Sequence, residues 1–243
     1  MASHMRPEVD FAGRSIQGER EDQEDFLAFE QLGSRLVMAL GDGAGGQAAG
    51  EHASRNAVMG FLEYFAKVNG ATAPTLFGAL HEGNRRVAAY MSNAPVERAA
   101  MATTLLAVVM EERALHWISV GDSPLLLFRA GRLERLNADH SVPSTTSTGA
   151  SNVLRSALGG GDIPILDWRR EAFMLETGDV LIAASDGLWT LSLPEIASHL
   201  AVLTTETAAV IALELLRLLA TRAKATQDNA TIGIMKVSSP APR

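Results

Sequence analysis

The chain has 243 residues, 47% of them hydrophobic and 20% charged, with a formal net charge of -7. That composition supplies enough apolar surface for one sizeable core, and the acidic balance argues against nucleic acid as a partner. The absence of cysteine excludes disulfides, thiolate metal sites and cysteine nucleophiles.

In chain order, residues 1–5 read as a cloning scar, and nothing after them resembles a signal peptide or a membrane span. A cytoplasmic location without membrane association is therefore expected. A polar run, Gly18 to Asp25, places Arg20 among acids, and a guanidinium is the side chain best matched to a phosphate. A strand is predicted from Phe26. Leu36 to Leu40 is an apolar run of strand length that ends in Gly41-Asp42-Gly43-Ala44-Gly45-Gly46. Helical spacing follows over 51–67, through Ala53, Ala57, Phe61 and Phe65. The glycines match the dinucleotide-binding fingerprint, but Asp42 would face a pyrophosphate with negative charge. Moreover, a second helix is predicted over 75–92, where the fingerprint requires a strand. Two readings of Asp42 remain: a metal ligand, or a solvated residue in a tight turn.

β-Branched and apolar residues over 102–109 and 114–120 predict a hairpin, and 125–128 with 133–136 predict another. Ser, Thr and Gly dominate 141–161, which reads as a long loop with a short helix over 152–158. Val180 to Ser185 is a fully apolar strand that delivers Asp186-Gly187 much as the earlier strand delivers Asp42-Gly43. Ser192 and Glu195 form a capping-box pattern, a longer helix spans 207–223, and a last strand spans 231–237. The pattern predicts one domain of antiparallel sheets flanked by helix pairs.

Asp42, Asp122 and Asp186 lie just after the C-terminal ends of apolar strands, while Asp25 and Asp228 lie just before the N-terminal ends of others. In antiparallel sheets those ends coincide. Carboxylates gathered on one rim repel one another by roughly several kcal/mol unless cations neutralise them. An all-oxygen ligand set selects hard ions such as magnesium or manganese. Two such ions sharing a carboxylate can activate water and clamp a phosphoryl group. The histidines, among them His52, His81, His116 and His140, read as structural, and Trp117 and Trp189 as packing around the site.

These residues resemble the metal-dependent serine/threonine protein phosphatases of the PPM, or type 2C, family. The likeness spans nearly the whole chain. It rests on Arg20-x-x-x-Glu24-Asp25, Asp42-Gly43-Ala44-Gly45-Gly46, Ala102-Thr103-Thr104, Gly121-Asp122-Ser123, Asp139-His140-Ser141, Leu154 to Gly159, Ser185 to Trp189, and Asp228-Asn229-Ala230-Thr231. The resemblance implies an α+β fold, a four-layer α-β-β-α sandwich with two central antiparallel sheets. It also implies hydrolysis of phosphoserine and phosphothreonine in proteins by a water bridging two manganese or magnesium ions. By this likeness Asp42 bridges the metals, with the Gly43 carbonyl and Asp25 on one ion and Asp186 and Asp228 on the other. Arg20 holds the phosphate, Asp122 helps bind a weaker third metal, and Glu24 and Asn229 support the ligands. The partners implied are phosphoproteins, opposite a serine/threonine kinase, with the chain acting as a monomer. Ala44 replaces a histidine of some relatives, Pro124 a common arginine and Ala102 a glycine, and 141–161 resembles a shortened flap beside the metals. Two alternatives share parts of the pattern: a catalytically weak relative that binds phosphoproteins, and a dinucleotide-binding oxidoreductase.

Overall fold

The computed structural model describes residues 8–45, 49–68, 70–94, 101–146, 149–223 and 225–238; the segment 1–5, Gly46 and Pro95 lie outside them. In chain order the elements begin with strands β1 (Glu8–Ile16), β2 (Asp25–Leu32) and β3 (Arg35–Ala44). Helices α1 (Ala49–Lys67) and α2 (Thr72–Asn93) follow, then β4 (Ala102–Thr103), β5 (Leu105–Glu111) and β6 (Ala114–Val120). Next come β7 (Leu125–Arg129), β8 (Arg132–Arg135), β9 (Ser141–Thr146) and β10 (Gly149–Leu154). The chain continues through β11 (Asp167–Trp168), β12 (Phe173–Met174) and β13 (Val180–Ala184), then α3 (Leu193–Val202), α4 (Ala208–Arg222) and β14 (Ala230–Ser238).

One sheet has the order β1-β14-β13-β7-β8 and the other β11-β6-β5-β3-β2, all antiparallel among the described residues. Strand periodicity explains how both become buried on two faces. In β3, Val37 and Ala39 pack with Phe61 of α1 and Leu80 of α2, while Leu36 and Met38 pack with Leu181 and Met235 of the facing sheet. Ile182 and Ile232 turn the other way, onto Ile211 and Leu215 of α4. The result is the α-β-β-α sandwich that the family resemblance implies, with the antiparallel sheets and flanking helices that the apolar runs predict. α3 opens on the capping box: Ser192 Oγ accepts from the Glu195 N–H, and Glu195 accepts from the Ser192 N–H at 2.9 Å.

Two expectations need correction, one alternative loses its structural premise, and one strand was not foreseen. After the glycine turn the chain runs through two helices and returns antiparallel, β4 pairing with β3, so the parallel crossover of a dinucleotide site is missing here. Residues 141–154 form the hairpin β9–β10, with Val142 opposite Val153, and the helix expected over 152–158 is not formed. Ladder hydrogen bonds hold such a hairpin, so its polar composition concealed it. Trp189 is 36% exposed, outside the core, with the Arg135 guanidinium over its ring. It belongs to a 3-10 turn, Asp186–Thr190, that carries it away from the apolar interior. Strand β1 has no expected counterpart, because Glu8 to Ile16 mixes polar and apolar residues at the edge of its sheet.

Candidate active site

The two sheets end together at one rim of the sandwich. β2 and β3 pair so that Asp25 stands directly opposite Asp42, and opposite residues in an antiparallel pair project to the same side. β13 finishes at Ala184 and hands on Ser185-Asp186, β14 begins just after Asp228-Asn229, and β6 runs out into Gly121-Asp122. Ser185 Oγ donates to Asp25 Oδ2 at 2.7 Å and so ties one sheet to the other. The Asp186 N–H donates to Asp42 Oδ2 at 3.3 Å. All five predicted carboxylates therefore meet. A cavity of about 350 Å³ opens over them, lined by Arg20, Glu24, Asp42, Asp122, Asp186 and Asp228, with Leu154 of the hairpin at its edge. Asp25 lies beneath, buried.

Burial and mutual repulsion dominate the electrostatics. Burial, opposed by hydrogen bonds from Ser185 and Thr231 and reinforced by Asp228 and Glu24, pushes Asp25 up to about 6. Asp186 is exposed at its outer side, yet desolvation by the surrounding rim, then Asp122, Asp228 and Asp25, pushes it up to about 7. Asp42 is held well above the ordinary carboxylate range by burial and by Asp25 and Asp186. Burial also raises Asp122 and Glu24. Among the described residues no group of three His, Asp or Glu side chains already surrounds a single point. The fit to a cation therefore rests on donor chemistry: desolvated, all-oxygen carboxylates whose charges oppose one another suit hard divalent ions.

A pH dependence follows. A carboxyl whose folded pKa exceeds its unfolded value contributes stability at low pH and loses it as pH rises through the folded value. For Asp25 and Asp186 that window runs from about 4, the unfolded value, to about 6 and about 7 respectively. The metal-free protein should therefore melt about 5 °C lower at pH 8 than at pH 5. Manganese should raise the melting temperature more at pH 8 than at pH 5. Thermal melts in chelator, with and without added metal, check both; an equal metal effect at the two pH values contradicts the cluster's role.

The rim is held by close backbone contacts. A Cβ on Gly43 would lie 2.1 Å from the Gly50 carbonyl oxygen and 2.7 Å from that of Glu24, so no side chain fits between β3 and the start of α1. Glu24 Oε1 accepts from the Gly50 N–H at 3.2 Å, and its carbonyl accepts from Ser54 Oγ at 2.6 Å. Gly43→Ala should cost about 3 kcal/mol, because the clashing atoms are backbone and cannot rotate away. Denaturant titration measures it. On the other side, the Asp42 N–H donates to Thr104 Oγ1 at 3.0 Å, and Thr104 Oγ1 shares a hydrogen with Ser123 Oγ at 2.8 Å.

Arg20 is exposed and pairs with Asp228 at 2.5 Å. Asn229, buried, accepts from the Glu24 N–H at 2.8 Å and donates to the carbonyls of Gln17 and Asp22. His140 accepts from the Gly121 N–H at 3.1 Å, and burial pushes it below its ordinary value, which fits the structural role expected of it. Ser185 and Thr104 fall within the motifs Ser185 to Trp189 and Ala102-Thr103-Thr104, but neither spacing showed that they bond Asp25 and Asp42, and Gln17 carried no signal.

Comparison with known proteins extends the picture. A family model described as Protein phosphatase 2C matches residues 12–220. The serine/threonine protein phosphatase PstP of Mycobacterium tuberculosis is 30% identical over 192 residues, 73% of this chain and 36% of its own length. The serine/threonine phosphatase stp of Listeria monocytogenes is 30% identical over 187 residues, 69% of this chain and 71% of its own length. The crystal structure of the catalytic domain of PstP in complex with two manganese ions superposes with a TM-score of 0.75 at 27% identity, covering 95% of this chain and 99% of that one. The chain spans about a third of the length of the mycobacterial relative.

Proposed function

The chain belongs to the protein phosphatase 2C family, and from that premise we propose that it hydrolyses phosphoserine and phosphothreonine esters of proteins at the carboxylate rim. The observation that carries the reading is the meeting of Asp25, Asp42, Asp122, Asp186 and Asp228 under one cavity with Arg20 at its edge. In this reading Asp25, Asp42 and the Gly43 carbonyl would hold one divalent ion, Asp42, Asp186 and Asp228 would hold a second, and Asp122 would help hold a third. When bound, such manganese or magnesium ions supply Lewis acidity and activate a water for in-line attack on phosphorus. The family's catalytic-domain structure with two manganese ions supports this assignment.

The chain's own groups do the rest. Arg20 leaves its exposed pairing with Asp228, worth little in water, and donates to the phosphate oxygens. Glu24 and Asn229 keep the backbone of the Arg20 loop against the start of α1 and the lead-in to β14. Among the described residues no histidine lines the cavity, so the departing serine or threonine oxygen takes its proton from solvent. Substrates of this kind place the enzyme after a serine/threonine kinase. The phosphoprotein-binding alternative is disfavoured because every acid of the proposed ligand set is retained.

Arg20→Ala tests the phosphate assignment. Losing a charge-assisted contact present in both ground and transition states should raise KM for a phosphothreonine peptide about tenfold, with manganese affinity unchanged. Steady-state kinetics beside a manganese titration separate the two quantities. An unchanged KM with weakened metal binding would make Arg20 a partner of the acids instead.

A further inference from the structure

The loop that carries Arg20 is tied down by amides that nothing in the proposed chemistry requires. Gln17 Nε2 donates to the carbonyl of Arg20 at 2.8 Å and to that of Glu21 at 2.7 Å. The loop also lies flush against the lead-in to β14. Gly18 has φ +65, a left-handed conformation, and a Cβ there would stand 2.4 Å from the Asp228 carbonyl oxygen. The Glu19 N–H donates to the Gln227 carbonyl at 2.8 Å. Asn229 closes the arrangement from beneath, through the Gln17 and Asp22 carbonyls and the Glu24 N–H. The Arg20 side chain is 56% exposed and is held by its pairing with Asp228.

From this arrangement we infer that Gln17 is a positioning residue for phosphate binding: its side-chain amide fixes the turn at Arg20 and Glu21 so that the guanidinium is presented over the carboxylate rim. The inference rests on the assignment of Arg20 to the phosphate. A long, exposed guanidinium loses conformational freedom when it grips an anion, and a loop already ordered leaves less to lose. Gln17 is itself exposed, so its two bonds act on the loop and contribute little to the core. It is well placed for this task because both acceptors are backbone carbonyls, which stay in place whatever the Arg20 side chain does. Without the amide, those carbonyls turn to water and the loop samples conformations that point Arg20 away from the cavity. The effect should fall on binding of the phosphoryl group and leave water activation untouched.

Gln17→Met keeps the length of the side chain without its donors, and Gln17→Ala removes both. On the manganese-loaded protein, each should raise KM for p-nitrophenyl phosphate and the dissociation constant for inorganic phosphate about three- to tenfold, the worth of one or two modest hydrogen bonds. The turnover number, manganese affinity and melting temperature should stay close to those of the parent. In an Arg20→Ala background the same substitutions should change neither constant, because the amide acts through that guanidinium. If Arg20→Ala alone leaves both constants unchanged, the phosphate assignment fails, and the inference with it. If Arg20→Ala weakens phosphate binding but the Gln17 variants do not, or their effects multiply in the double variant, the inference fails while the assignment of Arg20 stands.

Discussion

Asp42→Asn should abolish turnover, lowering kcat by at least about a thousandfold while the protein stays folded, since preorganised electrostatics is the largest single contribution at such sites. Asp42 is opposite Asp25 in the β2–β3 register and accepts the Asp186 N–H from the other sheet, so it stands where the two halves of the cluster meet. An amide there keeps the shape and removes the charge that two cations would share. The backbone of residue 42 is held independently of its side chain, by the N–H to Thr104 Oγ1 and by its carbonyl accepting from Thr104 N–H and Thr103 Oγ1. Substitution should also relieve repulsion, because Asp25 and Asp186 both raise the Asp42 carboxyl. The variant is therefore expected to be at least as stable as the parent without metal, and less stabilised than the parent by manganese. Kinetics and thermal melts measured together check this. Near-normal turnover would show that Asp42 is not the shared ligand.

The carboxylate rim was legible because its signal is local. Asp42, Asp122 and Asp186 each follow an apolar run that can only be a buried strand, and the antiparallel order puts those ends together with Asp25 and Asp228. Helices α1, α2 and α4 were legible for the same reason, their apolar residues recurring at helical spacing against one sheet face. What escaped depends on partners distant in sequence. Strand β1 exists because β14 offers it a full ladder, Glu8 to Ile16 against Ser238 to Ala230, and its own residues carry little apolar alternation. The hairpin β9–β10 is likewise a matter of ladder bonds in a stretch of Ser and Thr.

Supporting polar residues were the least legible part of the site. Ser185 reaches Asp25 across 160 positions, and Asn229 reaches Gln17 across 212. No spacing rule links residues so far apart, and hydroxyl and amide side chains occur widely in loops. Trp189 was misplaced for a related reason. A large aromatic beside a predicted ligand suggests packing, yet the 3-10 turn after Asp186 rotates it outward under Arg135. The chain's departure at Ala44 falls on the cavity wall, where among the described residues no histidine stands.

The second large effect is loss of activity on removing metal, and it tests the central claim most directly. Asp25, Asp42, Asp122 and Asp186, whose protons are bound more tightly than usual, form a poor catalyst alone, because protonated acids neither hold a phosphate nor activate water. Hard cations displace those protons and reverse the balance of charge at the rim. The measurement is hydrolysis of a phosphothreonine peptide by protein stripped with EDTA, followed as manganese or magnesium is titrated back. Turnover should vanish after stripping and return with added metal, and it should not return in Asp42→Asn at any metal concentration. Full turnover by exhaustively stripped protein, or the same metal response in Asp42→Asn as in the parent, would contradict the account.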